Sequence, residues 1–211
     1  LNTAVWSGNG NGVIEVRRAK NESSQVSYTG LDGKSRLLFG WPRRIHSIAQ
    51  SPNGSVFALC DSTGCYILGP DGHVISKLRT QTQKESFDVS FRFNKSGNRL
   101  AILTSYWYGE PHVGLDQQLW VVDIKSKQAS RVARWGEFFQ GSGLATERWI
   151  EGWFLDQKTV VIAGAISYGT EKPADSENDW IKIWAYNTQL RTGKGTEIFD
   201  SGKRCLGAAW W

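Results

Sequence analysis

Three short segments of the chain repeat one local pattern at nearly equal spacing. Each has an apolar stretch, a turn rich in Gly, Asn or Ser, and a second apolar stretch, and the turns contain Gly10, Gly54 and Gly97. The first interval between these glycines is 44 residues and the second is 43. Periods of about 40 to 50 residues are typical of chains that stack small four-stranded sheets. This spacing constrains the fold more than any other feature of the sequence.

Read as four-stranded antiparallel sheets, the repeat predicts an all-β protein with the architecture of a β-propeller. We label the strands of each sheet, or blade, A to D from the propeller axis outward. About four blades are predicted, over residues 1–40, 41–84, 85–135 and 145–203, followed by one strand of a further blade over 204–211. Gly, Asn and Asp separate the apolar runs, and no segment has a convincing helical period. We therefore expect a single propeller domain, or part of one.

Composition limits the classes of protein that the chain can belong to. Its 211 residues are 40% hydrophobic, with 23 Gly and only 5 Pro, which suits one domain of short strands and tight turns. The net charge of +5 is small and dispersed, so nucleic acid is not an expected partner. No apolar run approaches the ~20 residues of a membrane-spanning helix. Residue 1 is Leu and the chain has no Met, so we expect an excerpt or a processed product.

Three segments carry a resemblance to a known superfamily. Residues 4–10 and 49–54 resemble the A strand and following turn of TolB-like and WD-repeat-like propellers, in which an aromatic residue, Ser, Pro and Asp-Gly are common. Residues 65–72 resemble their third strand and outer turn. The sequence contains no Trp-Asp, so the paired Gly-His and Trp-Asp signature of true WD repeats is absent. The resemblance therefore implies the architecture alone.

Three cysteines bear on the redox environment of the chain. Cys60 and Cys65 flank a predicted hairpin loop over residues 61–64, so their side chains are expected to face each other across two strands. A disulfide and a pair of reduced core thiols both fit this pattern. Cys205 lies in an apolar stretch and is expected to pack.

A periplasmic or secreted location is favoured by several features together. They are the TolB-like resemblance, the 11 Trp residues, the potential bridge, and the Asn-x-Ser sequons at Asn21, Asn53 and Asn94. Such sequons also arise by chance.

Three long connections are predicted to share one face of the propeller. In an up-and-down blade, the B–C and D–A connections lie on the same face, and residues 107–116, 136–146 and 168–179 all belong to these two classes. Long loops on a compact domain are often functional, and aromatic and Arg side chains dominate binding hot spots. Any single aromatic residue here also has packing between blades as an alternative role. The predicted ligand-binding residues are Arg43, Arg44, Tyr106, Trp107, Tyr108, His112, Phe138, Phe139, Arg148 and Tyr168.

These features favour a non-enzymatic recognition or scaffold module that binds a protein or peptide through the long-loop face. A carbohydrate-binding or glycan-active propeller is an alternative, because Trp and Tyr rings stack on sugars. A second alternative is the propeller domain of a larger peptidase. The sequence contains no Gly-x-Ser-x-Gly and no His-Glu-x-x-His, so no catalytic residue, metal or cofactor is predicted. Whether the chain is an enzyme stays open, with the sequence pointing away from one.

Overall fold

The computed structural model describes residues 3–19, 21–78, 87–108, 114–138, 145–168, 180–188 and 195–200. Every regular element within these ranges is a β-strand, and the strands form four antiparallel sheets of four. Blade 1 contains β1 (Thr3–Trp6), β2 (Gly12–Arg18), β3 (Ser24–Gly30) and β4 (Ser35–Trp41). Blade 2 contains β5 (Ser47–Gln50), β6 (Phe57–Asp61), β7 (Gly64–Leu68) and β8 (Val74–Leu78).

The second half of the chain builds longer strands in the same order. Blade 3 contains β9 (Phe87–Phe93), β10 (Arg99–Tyr108), β11 (Gly114–Asp123) and β12 (Gln128–Phe138). Blade 4 contains β13 (Ala145–Phe154), β14 (Thr159–Tyr168), β15 (Trp180–Asn187) and β16 (Thr196–Asp200). Within each blade, consecutive strands are hydrogen-bonded neighbours, as in an up-and-down meander.

The first strands of the four blades are neighbours in space. Strand β1 contacts β5, β5 contacts β9, and β9 contacts β13. Three clusters of buried apolar side chains fill the spaces between successive blades. In a β-propeller, the inner strands of successive blades lie next to each other in chain order, and the sheets pack face to face. The structure has this arrangement. The predicted fold class is therefore confirmed.

Side-chain alternation explains why the middle strands read as continuous apolar runs. In β6, Phe57 and Leu59 join the cluster between blades 1 and 2, whereas Ala58 and Cys60 join the cluster between blades 2 and 3. Successive side chains of a strand point to opposite faces, and here both faces are covered by neighbouring sheets. All five residues of β6 are consequently buried.

The repeated Gly/Asn pattern forms the turn between strands A and B. In blades 1 to 3 an amide at the start of the turn donates to a carbonyl five residues later: Ser7 to Gly12 at 2.9 Å, Ser51 to Val56 at 3.0 Å, and Asn94 to Arg99 at 3.0 Å. The glycines of the repeat, Gly10, Gly54 and Gly97, have φ values of 72°, 70° and 71°. Residues with a Cβ rarely adopt this left-handed conformation, which explains why glycine recurs.

The structure differs from the sequence-based expectation at several connections. Strands β10 and β11 remain paired up to Tyr108 and Gly114, so the connection predicted over 107–116 is partly strand. The connection predicted over 136–146 is shortened in the same way, because β12 extends to Phe138 and β13 begins at Ala145. The predicted loop at 61–64 is a two-residue turn, because Asp61 pairs with Gly64.

The limits predicted for the blades along the chain stay a prediction. Residues 204–211, predicted as a strand of a further blade, lie outside the described residues.

Candidate functional site

Blades 3 and 4 extend further than blade 2 toward the predicted long-loop face. We call this end of the sheets, where B–C and D–A connections lie, the rim. Strands β10 and β11 have 10 residues each, whereas β6 and β7 have 5. Both pairs start from equivalent A–B turns, so the additional residues lie at the rim. At a rise of about 3.3 Å per residue, blade 3 projects roughly 16 Å further than blade 2.

Three of the predicted binding residues lie at the ends of these long strands. Tyr108 is opposite Gly114, which is in turn opposite Phe138, so the backbones of both aromatic residues share one rung of blade 3. Tyr168 ends β14 opposite Ala145, at the rim of blade 4. The sheets therefore bring three predicted positions to the same end of the molecule.

The remaining predicted aromatic positions and Arg148 are distributed differently. Trp107 lies one residue before the end of β10, opposite Leu115. Arg148 lies within β13, opposite Ala165. His112 and Phe139 lie outside the described residues.

Tyr106 lies beneath the rim. Its side chain is only 8% exposed, and in the sheet it is opposite Asp116. Burial raises the pKa of Tyr106 to about 12, and the negative charge of Asp116 adds to the effect. The phenol therefore stays protonated at physiological pH.

A polar network holds the extended part of blade 3. The Asp116 carboxylate accepts hydrogen bonds from Arg134 Nε at 2.9 Å and Nη2 at 3.2 Å, and from Gln118 Nε2 at 3.0 Å. On the opposite face of the strand, Gln117 Nε2 donates to Ser105 Oγ at 2.8 Å. Charge-assisted, two-pronged contacts of the Arg134 kind fix geometry as well as contributing energy. The network therefore gives the strands beneath the rim a defined structure where the apolar cluster ends.

Arg43 and Arg44 lie in the connection between blades 1 and 2, and a buried carboxylate organises it. Asp61 is fully buried at the end of β6, and its Oδ2 accepts hydrogen bonds from Trp41 Nε1 at 3.0 Å and Arg43 Nη1 at 3.3 Å. Its Oδ1 accepts from the Thr63 amide at 2.7 Å and hydroxyl at 2.6 Å. Burial alone would raise the pKa of Asp61, but the hydrogen bonds from Thr63, Trp41 and Arg43 outweigh it and lower the pKa.

The backbone of this connection is fixed on both sides of Arg44. The Ser24 hydroxyl donates to the Arg43 carbonyl at 2.9 Å and accepts from the Ile45 amide at 3.0 Å. The His46 amide donates to the Cys60 carbonyl at 2.8 Å. Partial desolvation lowers the pKa of His46, and the positive charge of Arg44 lowers it further, against the opposing charge of Asp61.

Sequence reasoning singled out the two arginines but not Asp61. A signal was present in the sequence, because Asp followed two residues later by Thr is typical of a side-chain-capped turn. Nothing in the sequence shows, however, that Trp41, twenty residues away, donates to the same carboxylate.

Cys60 and Cys65 are joined by a disulfide directly behind this turn. Their Cα atoms are 4.1 Å apart in a cross-strand pair, and both side chains are fully buried. The pair packs in the cluster between blades 2 and 3. The bond therefore closes the hairpin whose turn includes Asp61, the carboxylate that accepts from Arg43.

A cavity lies at the opposite end of the inner strands. It encloses about 440 Å³, and its lining includes Trp6, Ile48, Gln50, Phe91 and Arg92 from the A strands of blades 1 to 3. Trp6 is 69% exposed beside it. None of these residues was predicted as a binding residue, because each reads as part of an ordinary strand.

Two features were looked for among the described residues: a group of side chains that could bind a metal ion, and a helix that could span a membrane. Among them, no group of three or more His, Cys, Asp or Glu side chains is placed to hold a metal ion. In the same part of the chain, no helix is long and apolar enough to cross a membrane.

Comparison with known proteins shows which solved structures share this fold. A scan against models of protein families and a search of curated protein sequences each found no match to the chain. Among solved structures, the uncharacterized protein lmo1340 from Listeria monocytogenes EGD-e matches with a TM-score of 0.54 and 15% identity, over 93% of this chain and 53% of that one. TolB from Acinetobacter baumannii matches with a TM-score of 0.51 and 13% identity, over 95% of this chain and 44% of that one.

A WD40 domain from Toxoplasma gondii coronin matches at a TM-score of 0.46 with 9% identity, covering 93% of this chain and 58% of that one. The first two structures exceed a TM-score of 0.5, and at such low identity they show the fold alone. The chain spans about half the length of both. Taken with the four successive four-stranded sheets, the similarities to lmo1340 and TolB show that the chain has a β-propeller fold, and they confirm the TolB-like resemblance in the sequence at the level of the fold.

Proposed function

We propose that this propeller is a non-enzymatic recognition module that binds a protein or peptide through the rim. One observation carries the proposal: the long strands of blades 3 and 4 bring Tyr108, Phe138 and Tyr168 to the same end of the molecule. Trp107, Phe139 and His112 adjoin these positions in the chain. Aromatic residues supply large, rigid contact areas, which is why they are enriched in binding hot spots.

The scaffold beneath the rim supports this function energetically. The Asp116–Arg134 contact and the buried Gln117 and Gln118 side chains give the extended strands a fixed geometry. Loops that are mounted on rigid strands lose less conformational freedom on binding than loops on a mobile support.

An oxidising compartment, periplasmic or extracellular, fits the same proposal. Disulfides persist in such compartments, and the structure joins Cys60 to Cys65. Titration of thiols in denaturant without reductant would show both cysteines blocked in protein from its natural source. Free thiols at both positions would argue against this location.

Selection from a displayed peptide library tests the proposed function without knowledge of the natural partner. Peptides selected on the immobilised protein are expected to lose about thirtyfold or more in affinity when Trp107 and Phe139 are both replaced by Ala, because each hot-spot aromatic contributes about 1–2 kcal/mol or more. Isothermal titration calorimetry gives the affinities, and thermal unfolding shows whether the variant remains folded.

Trp6→Ala is the matched control, because Trp6 is an exposed tryptophan at the opposite end of the blades. Its replacement should leave the affinity for the selected peptides unchanged. Dependence on Trp6 instead of the rim residues would move the binding face to the A–B end. Failure to select any peptide, together with binding of an immobilised glycan, would favour the carbohydrate alternative.

A further inference from the structure

The junction of blades 1 and 2 on the rim side carries a group of cations with little acidic compensation. It comprises Arg43, Arg44 and Lys77, and we call it the cationic ledge. Arg43 and Arg44 lie in the connection to blade 2, and Lys77 lies on β8 with its Nζ 5.4 Å from the centre of the Tyr66 ring. Tyr66 in turn contacts Trp41 edge-to-face at 5.2 Å and meets Thr63 Oγ1 through its hydroxyl at 2.5 Å. Arg43 and Lys77 therefore flank the Asp61 turn, and Arg44 follows Arg43 in the same connection.

The charges on the ledge do not cancel. Among the described contacts, one carboxylate reaches these cations: Asp61, which is fully buried and bound to Arg43. The next carboxylate along this edge, Glu22, is bound to Arg18. Arg44 is exposed and Lys77 rests on an aromatic ring, so the ledge keeps a net positive charge. An exposed surplus of charge of this kind steers and selects partners of opposite sign.

The ledge is also held in place before any partner arrives. Hydrogen bonds fix the backbone at Arg43, Ile45 and His46, so Arg44 projects from a rigid segment. A guanidinium offers two parallel N–H groups that match a carboxylate. A fixed backbone lowers the entropy lost when such a pair forms. The site is thus prepared for carboxylates.

We propose that the cationic ledge binds the acidic, Asp- or Glu-rich part of the protein or peptide partner; this inference rests on the proposed function. Three cations around a buried carboxylate are too few for nucleic acid, which is bound through a stripe of phosphate contacts. The ledge would give the partner its charge preference, while the aromatic rim supplies contact area.

Fluorescence anisotropy with a labelled decaglutamate peptide tests the inference. At low ionic strength the wild-type protein should bind decaglutamate, bind decaglutamine more weakly, and lose decaglutamate affinity as salt is added. Arg44→Glu should weaken binding of decaglutamate about fivefold to tenfold, and Arg44→Lys should weaken it less, because Lys keeps the positive charge but not the two parallel N–H groups. Lys95→Glu is the matched control, because Lys95 is an exposed cation in the A–B turn at the other end of blade 3.

Equal losses in Arg44→Glu and Lys95→Glu would overturn the inference, since net charge alone would then explain them. Absence of decaglutamate binding in the wild type would overturn it as well. So would tighter, Arg44-dependent binding of a single-stranded thymidine oligonucleotide. The two proposals can fail separately: selected peptides that ignore Trp107 and Phe139 contradict the rim, whatever Arg44→Glu does to decaglutamate.

Discussion

At the scale of single residues, Asp61 has the clearest structural role. A buried charge is tolerated in a protein only when its hydrogen-bonding capacity is filled, and four donors from Trp41, Arg43 and Thr63 fill it here. The carboxylate joins the end of blade 1 to the first hairpin of blade 2. Asp61 therefore fixes the position of the connection between blades 1 and 2 as well as stabilising the fold.

Asp61→Asn should lower the free energy of unfolding by about 2–4 kcal/mol, because it replaces a buried acceptor of several hydrogen bonds with a group that presents an additional donor. Urea unfolding followed by tryptophan fluorescence measures the change. Asp32→Asn is the matched control, because Asp32 is an exposed turn residue, and its effect should stay within about 0.5 kcal/mol. Equal stabilities of the two variants would contradict the role assigned to Asp61.

The same residue predicts a dependence of stability on pH. Folding lowers the pKa of Asp61, so its contribution is complete above the ordinary carboxyl pKa of about 3.9 and is lost as the pH falls through the folded value. Below about pH 4, the wild type should therefore lose stability more steeply than Asp61→Asn. Unfolding curves at a series of acidic pH values test this, and parallel curves for the two proteins would contradict it.

At the scale of elements, the A–B turns form a continuous line of contacts from blade to blade. Gly8 in the first turn donates its amide to Gln50 Oε1 at 3.1 Å and lies against the backbone of Ser51 in the second. Asn94 and Arg99 in the third turn reach Gln157 in the fourth, with Arg99 Nη1 3.0 Å from the Gln157 carbonyl. The turns therefore register neighbouring blades as well as reversing the chain.

Gly8→Ala should destabilise the protein by roughly 1–3 kcal/mol, because a Cβ at this position would overlap the Ser51 carbonyl and force the first two turns apart. Gly40→Ala provides the comparison, since a Cβ there meets no atom within 4 Å. Thermal unfolding of both variants checks the expectation. A midpoint for Gly8→Ala as high as that for Gly40→Ala would show that the turns do not need to touch.

Strands and hairpins were the features that the sequence predicted best. Apolar runs between Gly and Asn turns indicated four-stranded antiparallel sheets, because hairpins such as those of blade 2 are specified locally by turn chemistry. The far ends of β10 and β11 were missed, since pairing between Tyr108 and Gly114 depends on register and not on composition.

The candidate site was also predictable only in part, because some of its contacts depend on how the strands and sheets pair and not on local composition. Strand ends and connection classes placed aromatic residues at one rim. The burial of Tyr106 and the convergence of Trp41, Arg43 and Thr63 on Asp61 arise from packing between sheets. No local pattern in the sequence reports such contacts.

At the scale of the whole molecule, two ends of the blades have different characters. One end carries short turns with Ser and Asn side chains folded back onto their own backbone, together with the cavity beside Trp6. The other end carries the long strands of blades 3 and 4, the aromatic rim and the cationic ledge. Under the proposed function, the A–B end holds the blades in register and the rim binds the partner.

Hydrogen–deuterium exchange, with and without a library-selected peptide, tests this central claim most directly. The account predicts slower exchange on peptide binding in segments that contain Tyr108, Gly114, Phe138 and Ala145, with little change in the A–B turns at Ser7, Ser51 and Asn94. Protection confined to those A–B turns, with the rim segments unaffected, would contradict it.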